Sequence, residues 1–140
     1  MNKDQKTVMA FGVFDVLHNG HRHFLKEAKK LGQKLVVAVA PDEAVLMIKN
    51  RLPHESLTKR IENLQTEKLA DVVVSGDPVL GDWHVIKSHK PDVIALGYDQ
   101  KELELTLSRF LKENGLKTRC VFIKPYSDDS LHSSIIRKKM

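Results

Sequence analysis

Five short apolar runs rich in β-branched residues alternate with longer segments of helical spacing. That alternation predicts an α/β fold: a single doubly wound, Rossmann-like, five-stranded parallel sheet with helices on both faces. Length and punctuation agree with it. A chain of 140 residues buries a real core but does not divide into two domains, and proline, glycine and capping residues fall at the joins between runs.

Taken in order, Thr7 to Val13 reads as the first strand, and the turn Phe14 to Asn19 feeds a helix from about Gly20 to Leu31. Phe24, Leu25, Ala28 and Leu31 share one face of that helix, and Gly32 is expected to stop it. Leu35 to Ala40 is a second buried strand. Pro41 and Asp42 open a helix running toward Ile48, proline suiting a first helical position. The basic, proline-interrupted segment Lys49-Asn50-Arg51-Leu52-Pro53-His54 breaks the pattern before a helix from about Ser56 to Lys68. Asp71 to Val74 make a short strand, Ser75 to Pro78 a loop, and Trp83 to His89 a helix. Pro91-Asp92 introduce the strand Val93 to Leu96, and Gly97 to Gln100 form a turn. Glu102 to Glu113 are helical up to Gly115, Thr118 to Ile123 form the last strand, and Ser130 to Lys139 a terminal helix. Such a sheet holds its ligand at the carboxyl ends of the strands, where the strand order reverses.

Composition excludes several classes. With 41% hydrophobic and 29% charged residues the chain is neither disordered nor fibrous. It has no apolar run approaching the roughly 20 residues of a membrane span, and Met1 to Lys6 lack the apolar stretch of a leader, so a cytoplasmic location is expected. The one cysteine, Cys120, lies in an apolar run and reads as a small core hydrophobe. A net charge of +5 favours anionic partners without choosing among nucleotide, nucleic acid and lipid headgroup. A non-catalytic nucleotide- or nucleic-acid-binding protein is one reading of that charge, but aromatics are only 6% and no single-strand stacking module is visible.

The chemistry concentrates in Gly12-Val13-Phe14-Asp15-Val16-Leu17-His18-Asn19-Gly20-His21. His18 and His21 lie three apart across a helix start, so both imidazoles can face one ligand. Gly20 would let a phosphate approach the backbone, and a helix N-terminus offers amides and a partial positive charge to an anion. Fixed donors of this kind suit nucleotidyl transfer, whose transition state gathers negative charge on the α-phosphate and the departing pyrophosphate. Histidines at i and i+3 can also share zinc, but third and fourth ligands are needed and the single cysteine is remote.

The string resembles the HxGH nucleotidyltransferase superfamily of cytidylyltransferases and pantetheine-phosphate adenylyltransferase, with Val13 where threonine is commonest. Residues 1–140 would then be one nucleotidyltransferase domain. Leu96-Gly97-Tyr98-Asp99-Gln100 and Lys124-Pro125-Tyr126 are similar to the small archaeal-type FAD synthetases, and the Gly-Asp-Asp-Trp and Arg-Thr-Glu-Gly-Ile-Ser-Thr-Thr signatures of glycerol-3-phosphate cytidylyltransferases are missing.

The resemblance implies transfer of AMP from ATP to FMN with release of pyrophosphate, with Mg²⁺ or another divalent cation accompanying ATP. The alternative is a CTP-dependent cytidylyltransferase acting on glycerol 3-phosphate or a sugar phosphate. Carried over by position, it puts Gly12, Val13, Phe14, His18, Asn19, Gly20, His21, Asp99 and Tyr126 around the nucleotide, and Asp15 and Arg51 on the acceptor side. Lys49 would reach the phosphates, with Lys49-x-Arg51-x-Pro53 matching an Ile-Lys-x-Arg-x-Pro pattern. Ser133, Ser134 and Arg137 would hold the β- and γ-phosphates. The partners implied are small molecules, with no nucleic acid and no membrane, and the assembly a homodimer.

Plainer readings stand beside these. Lys49 and Arg51 also suit a solvated basic loop, or a lid over the triphosphate. Ser133 and Ser134 suit a helix cap, Asp99 a turn, and Tyr126 packing against Pro125. Trp83 suits packing over a loop better than stacking on flavin, and Arg60 reads equally as an ion-pair or a phosphate residue.

Overall fold

The computed structural model describes residues 6–79, 82–98 and 100–125. Ten elements follow in the order β1 (Thr7–Gly12), α1 (Asn19–Lys29), β2 (Lys34–Val39), α2 (Asp42–Lys49), α3 (Leu57–Thr66), β3 (Val72–Ser75), α4 (His84–His89), β4 (Val93–Gly97), α5 (Lys101–Glu113) and β5 (Arg119–Ile123). All strand pairs are parallel in the order β3-β2-β1-β4-β5, so the order reverses between β1 and β4. The expected doubly wound sheet is thus present; the expected helix at Ser130 to Lys139 lies outside the described residues.

Alternating side chains of the central strands feed two cores. Val8, Ala10, Leu35, Val37 and Val39 pack with Leu25 and Ala28 of α1 and Leu64 of α3. Met9, Phe11, Val36, Ile94 and Leu96 pack with Ile86 of α4 and with Leu107 and Leu111 of α5. Because β1, β2 and β4 are buried on both faces, they read as unbroken apolar runs rather than alternating ones. Among the described residues no helix is long and apolar enough to cross a membrane. Cys120 is partly buried against the second core, and burial, with help from Glu104, pushes its thiol pKa up.

Local details refine the sequence reading. Gly115, at φ +64, follows α5 in the left-handed conformation that glycine adopts without penalty. Ser56 caps α3 by accepting the Lys59 amide at 3.2 Å. Pro41 is the N-cap of α2 rather than its first residue. Gly32 is not a helix stop: α1 ends at Lys29 with Lys30 as right-handed cap, and a Cβ at residue 32 would stand 2.5 Å from the Lys6 carbonyl oxygen. Glycine is required there by close approach of the chain entering β1. Strand β1 ends at Gly12 rather than Val13, because the Val13 carbonyl turns away to Arg60.

Arg60 is fully buried on α3. Its guanidinium donates to the carbonyls of Val13 (2.9 Å), Ala40 (2.7 Å) and Glu55 (3.0 Å) and pairs with the Asp42 carboxylate at 2.6 Å. The ends of β1 and β2, the start of α2 and the approach to α3 are therefore tied to one planar fork. Replacing Arg60 by Met orphans three carbonyls and should destabilise the protein by about 3 kcal/mol. Thermal unfolding should show Tm lowered by about 10 °C, given the usual enthalpy of a domain this size; a shift under about 2 °C would contradict this assignment.

Candidate active site

The motif loop leaves β1 through two strained residues. Phe14 and Val16 have φ of 53° and 55°, in the left-handed region, which a β-branched valine rarely enters. Long-range bonds hold them there. Asp15 accepts the His54 amide at 2.7 Å, the His54 ring Nδ1–H at 3.1 Å and the Glu55 amide at 2.9 Å. The Val16 amide in turn donates to Glu55 Oε1 at 3.1 Å. Burial raises the Asp15 pKa, but these bonds outweigh it and hold the carboxyl below its ordinary value. Both carboxylate oxygens of Asp15 are thus engaged by residues 54 and 55.

His18 is the N-cap of α1, and the two histidines are wired into the helix start. The Gly20 amide donates to His18 Nδ1 at 3.0 Å, and the His18 amide donates to His21 Nδ1 at 3.2 Å. A nitrogen that accepts from an amide carries no proton, so each neutral ring holds its proton on Nε2. The rings stack with centroids 3.9 Å apart at 22°, and the edge of Phe14 supports His21 at 5.5 Å.

At residue 20 the amide is taken by His18, and a Cβ would lie 2.8 Å from His18 Cε1. Gly12 similarly leaves room for Phe14, whose ring would be 2.8 Å from a Cβ. The site therefore offers an anion two imidazole N–H groups rather than a bare Gly20 amide. Those rings have no lone pair at Nε2 for a metal, and among the described residues no group of three His, Cys, Asp or Glu side chains gathers to hold one.

Phe14 is buried, so only its backbone can meet a ligand. Asn19 is exposed and its side-chain oxygen accepts from Arg22, which also holds Glu67 with two bonds. Lys49 is exposed as the last residue of α2, near enough to depress the His21 pKa, and Arg51 is exposed in the following loop. His23 faces away and donates to the Lys124 carbonyl at 3.1 Å. Trp83 packs edge-on to Phe11 at 5.3 Å and is buried, a core position rather than a flavin platform. Asp99, Tyr126, Ser133, Ser134 and Arg137 lie outside the described residues.

Two positioning residues went unassigned in the sequence. Gln100 accepts the Gly97 amide at 2.7 Å and donates to the Phe11 carbonyl at 3.3 Å. It thereby bridges β4 and β1 beyond their last paired residues, at the order reversal. Arg60 was the other; its signal was a cation on the apolar face formed by Leu57, Ile61 and Leu64 at helical spacing.

Known proteins give this geometry a context. A family model described as Cytidylyltransferase-like matches residues 9–139. The FAD synthase of Thermococcus sibiricus is 43% identical over 142 residues, covering 99% of this chain and 95% of that protein. That of Pyrococcus abyssi is 43% identical over 95% of this chain and 90% of its own. Among solved structures, the lipopolysaccharide core biosynthesis protein from Thermoplasma volcanium superposes with a TM-score of 0.80 at 38% identity, covering 87% of this chain and 98% of that one. A pantoate-β-alanine ligase from Francisella tularensis, at 17% identity, shares the fold with a TM-score of 0.60 over 94% of this chain and 67% of its own.

Burial first, then the neighbouring His18, Arg22 and Lys49, lowers the His21 pKa to about 4 against an opposing pull from Asp15. As pH falls, the unfolded chain takes up this proton near 6.5 and the folded chain only near 4, so the neutral ring's contribution to stability is full above 6.5 and lost on the way down to 4. Long-range ¹H–¹⁵N spectra should show His21 neutral at pH 5 with its unprotonated nitrogen at Nδ1. A midpoint near 6.5, or an unprotonated Nε2, would contradict the wiring.

Proposed function

The chain belongs to the Cytidylyltransferase-like family, and from that premise we propose that it is an FAD synthase, transferring AMP from ATP to the phosphate of FMN with release of pyrophosphate. The observation that carries the reading is the stacked His18–His21 pair with both Nε2–H groups fixed by backbone amides. The acceptor is supported by the relatives named FAD synthase that match nearly the whole chain.

An FMN phosphate oxygen attacks the α-phosphorus of ATP, and the bond to the pyrophosphate oxygen breaks. His18 and His21 donate to the phosphate oxygens on which charge develops, and because they are already oriented no reorganisation accompanies the step. His21, held neutral, donates a hydrogen bond without losing a proton to the departing group. Lys49 adds positive charge from the end of α2, while Ser133, Ser134 and Arg137 hold the β- and γ-phosphates. The backbone of Gly12, Val13 and Phe14 with Asn19, Gly20, Asp99 and Tyr126 surrounds the nucleotide. Arg51 stands on the acceptor side.

Mg²⁺ or another divalent cation bound with ATP would supply charge neutralisation at the triphosphate. The N–H donors of His18 and His21 fit such a cation, since they would contact phosphate oxygens and not compete for the metal. The enzyme would act in the cytoplasm as a homodimer on small-molecule substrates, without nucleic acid or membrane.

One observation favours a second reading: the Thermoplasma volcanium structure is named for lipopolysaccharide core biosynthesis, which suits CTP-dependent transfer to a sugar phosphate or glycerol 3-phosphate. Pyrophosphate release should be measured with ATP or CTP against FMN, glycerol 3-phosphate and a sugar phosphate. ATP with FMN should give FAD, and His18→Ala or His21→Ala should lower kcat about 100-fold or more. Turnover confined to CTP would overturn the flavin assignment.

A further inference from the structure

The basic loop between α2 and α3 carries a second imidazole system outside the motif. His54 donates its Nδ1–H to Asp15 Oδ2 at 3.1 Å, while its own amide holds the same oxygen at 2.7 Å. The two partners differ sharply in exposure: the Asp15 side chain is 15% exposed and that of His54 73%. The carboxylate is therefore an internal anchor, and the ring stands outward on it. With Nδ1 committed to Asp15, the remaining ring nitrogen, Nε2, is the one left to meet a ligand.

That arrangement sets up a phosphate contact. A carboxylate-backed imidazolium offers its outer N–H to a phosphate oxygen while the carboxylate behind it balances the charge. Position selects the phosphate. Asp15 lies three residues before His18, on the same strained loop, whereas the α1 start serves the nucleotide. Arg51 shares the loop as an exposed cation. The nearby anion, Glu55, is turned inward to the Val16 amide and Asn63. His54 follows the acceptor-side cation Arg51 by three residues and rests on Asp15, three residues before the histidine pair.

We propose that His54 binds the phosphate of the acceptor, with Asp15 as the positioning residue that aims its ring. The inference rests on the FMN reading for its acceptor and adds to it the group that recognises the reacting end. His84 supplies an internal comparison. It makes the same kind of pair with Asp77, at 3.1 Å and similarly exposed, but there Asp77 also accepts the Val85 amide at the start of α4. The pair joins that short helix to the loop before it.

Steady-state kinetics on the full chain test the proposal, varying FMN and ATP separately. Because the His54 and Glu55 amides still hold Asp15 when the exposed ring is removed, His54→Ala should fold, with Tm lowered by no more than about 4 °C. It should raise KM for FMN about tenfold or more, as expected for loss of a charge-assisted bond, with KM for ATP and kcat within about twofold. His54→Gln, which keeps an N–H donor, should recover part of the loss, and His84→Ala should match the parent.

Riboflavin, which lacks the phosphate, serves as a competitive probe, and its inhibition constant should not move in His54→Ala. An unchanged KM for FMN would overturn the proposal. So would a rise shared by ATP or by riboflavin, which would assign His54 to loop shape or ring contact. Failure of the parent enzyme to make FAD would instead overturn the FMN reading itself.

Discussion

The site depends on a guanidinium that no substrate touches. Arg60 has no exposed surface and holds three backbone carbonyls and one carboxylate from three separate stretches of chain. A cation so placed is tolerated only because its planar fork finds an acceptor in each direction. The ends of β1 and β2 are thereby fixed to the start of α2 and the loop before α3. A lysine at this position, with one ammonium on a flexible stem, could not span the same partners.

From that anchor the rest follows in steps. With the Val13 carbonyl held, the chain turns through two left-handed residues that would relax if free. The Asp15 and Glu55 bonds prevent it, and α1 begins where they leave the chain. Its first residues then orient two imidazoles by their own amides, which sets the tautomer of both rings. Order passes from a buried guanidinium to a strained loop to a pair of donors, and the electrostatics of the site come from the backbone as much as from side-chain charge.

The elements were legible in the sequence because each is a local pattern. Valine-rich runs mark β2 and β3, Ser56 marks the start of α3, and Gly115 the end of α5. The motif histidines were legible for the same reason, three residues apart at a strand-to-helix junction. What escaped were pairings across long stretches of chain. Asp15 meets residues 54 and 55, 39 and 40 positions away, and Gln100 reaches the Phe11 carbonyl from 89. No local spacing encodes such partners. Gly32 shows the same limit in reverse: a glycine after a helix suggests a stop, but here it makes room for residue 6, which only the folded sheet brings near.

The central claim is that the imidazole pair is built before substrate arrives. A crystal structure of the protein with a non-hydrolysable ATP analogue and Mg²⁺ tests it most directly. Nε2 of both His18 and His21 should lie within hydrogen-bond distance of phosphate oxygens, with the backbone of residues 12–21 unmoved and both Nδ1 atoms still bonded to their amides. A ring turned to present Nδ1 to the nucleotide, or an α1 start rebuilt on binding, would contradict it.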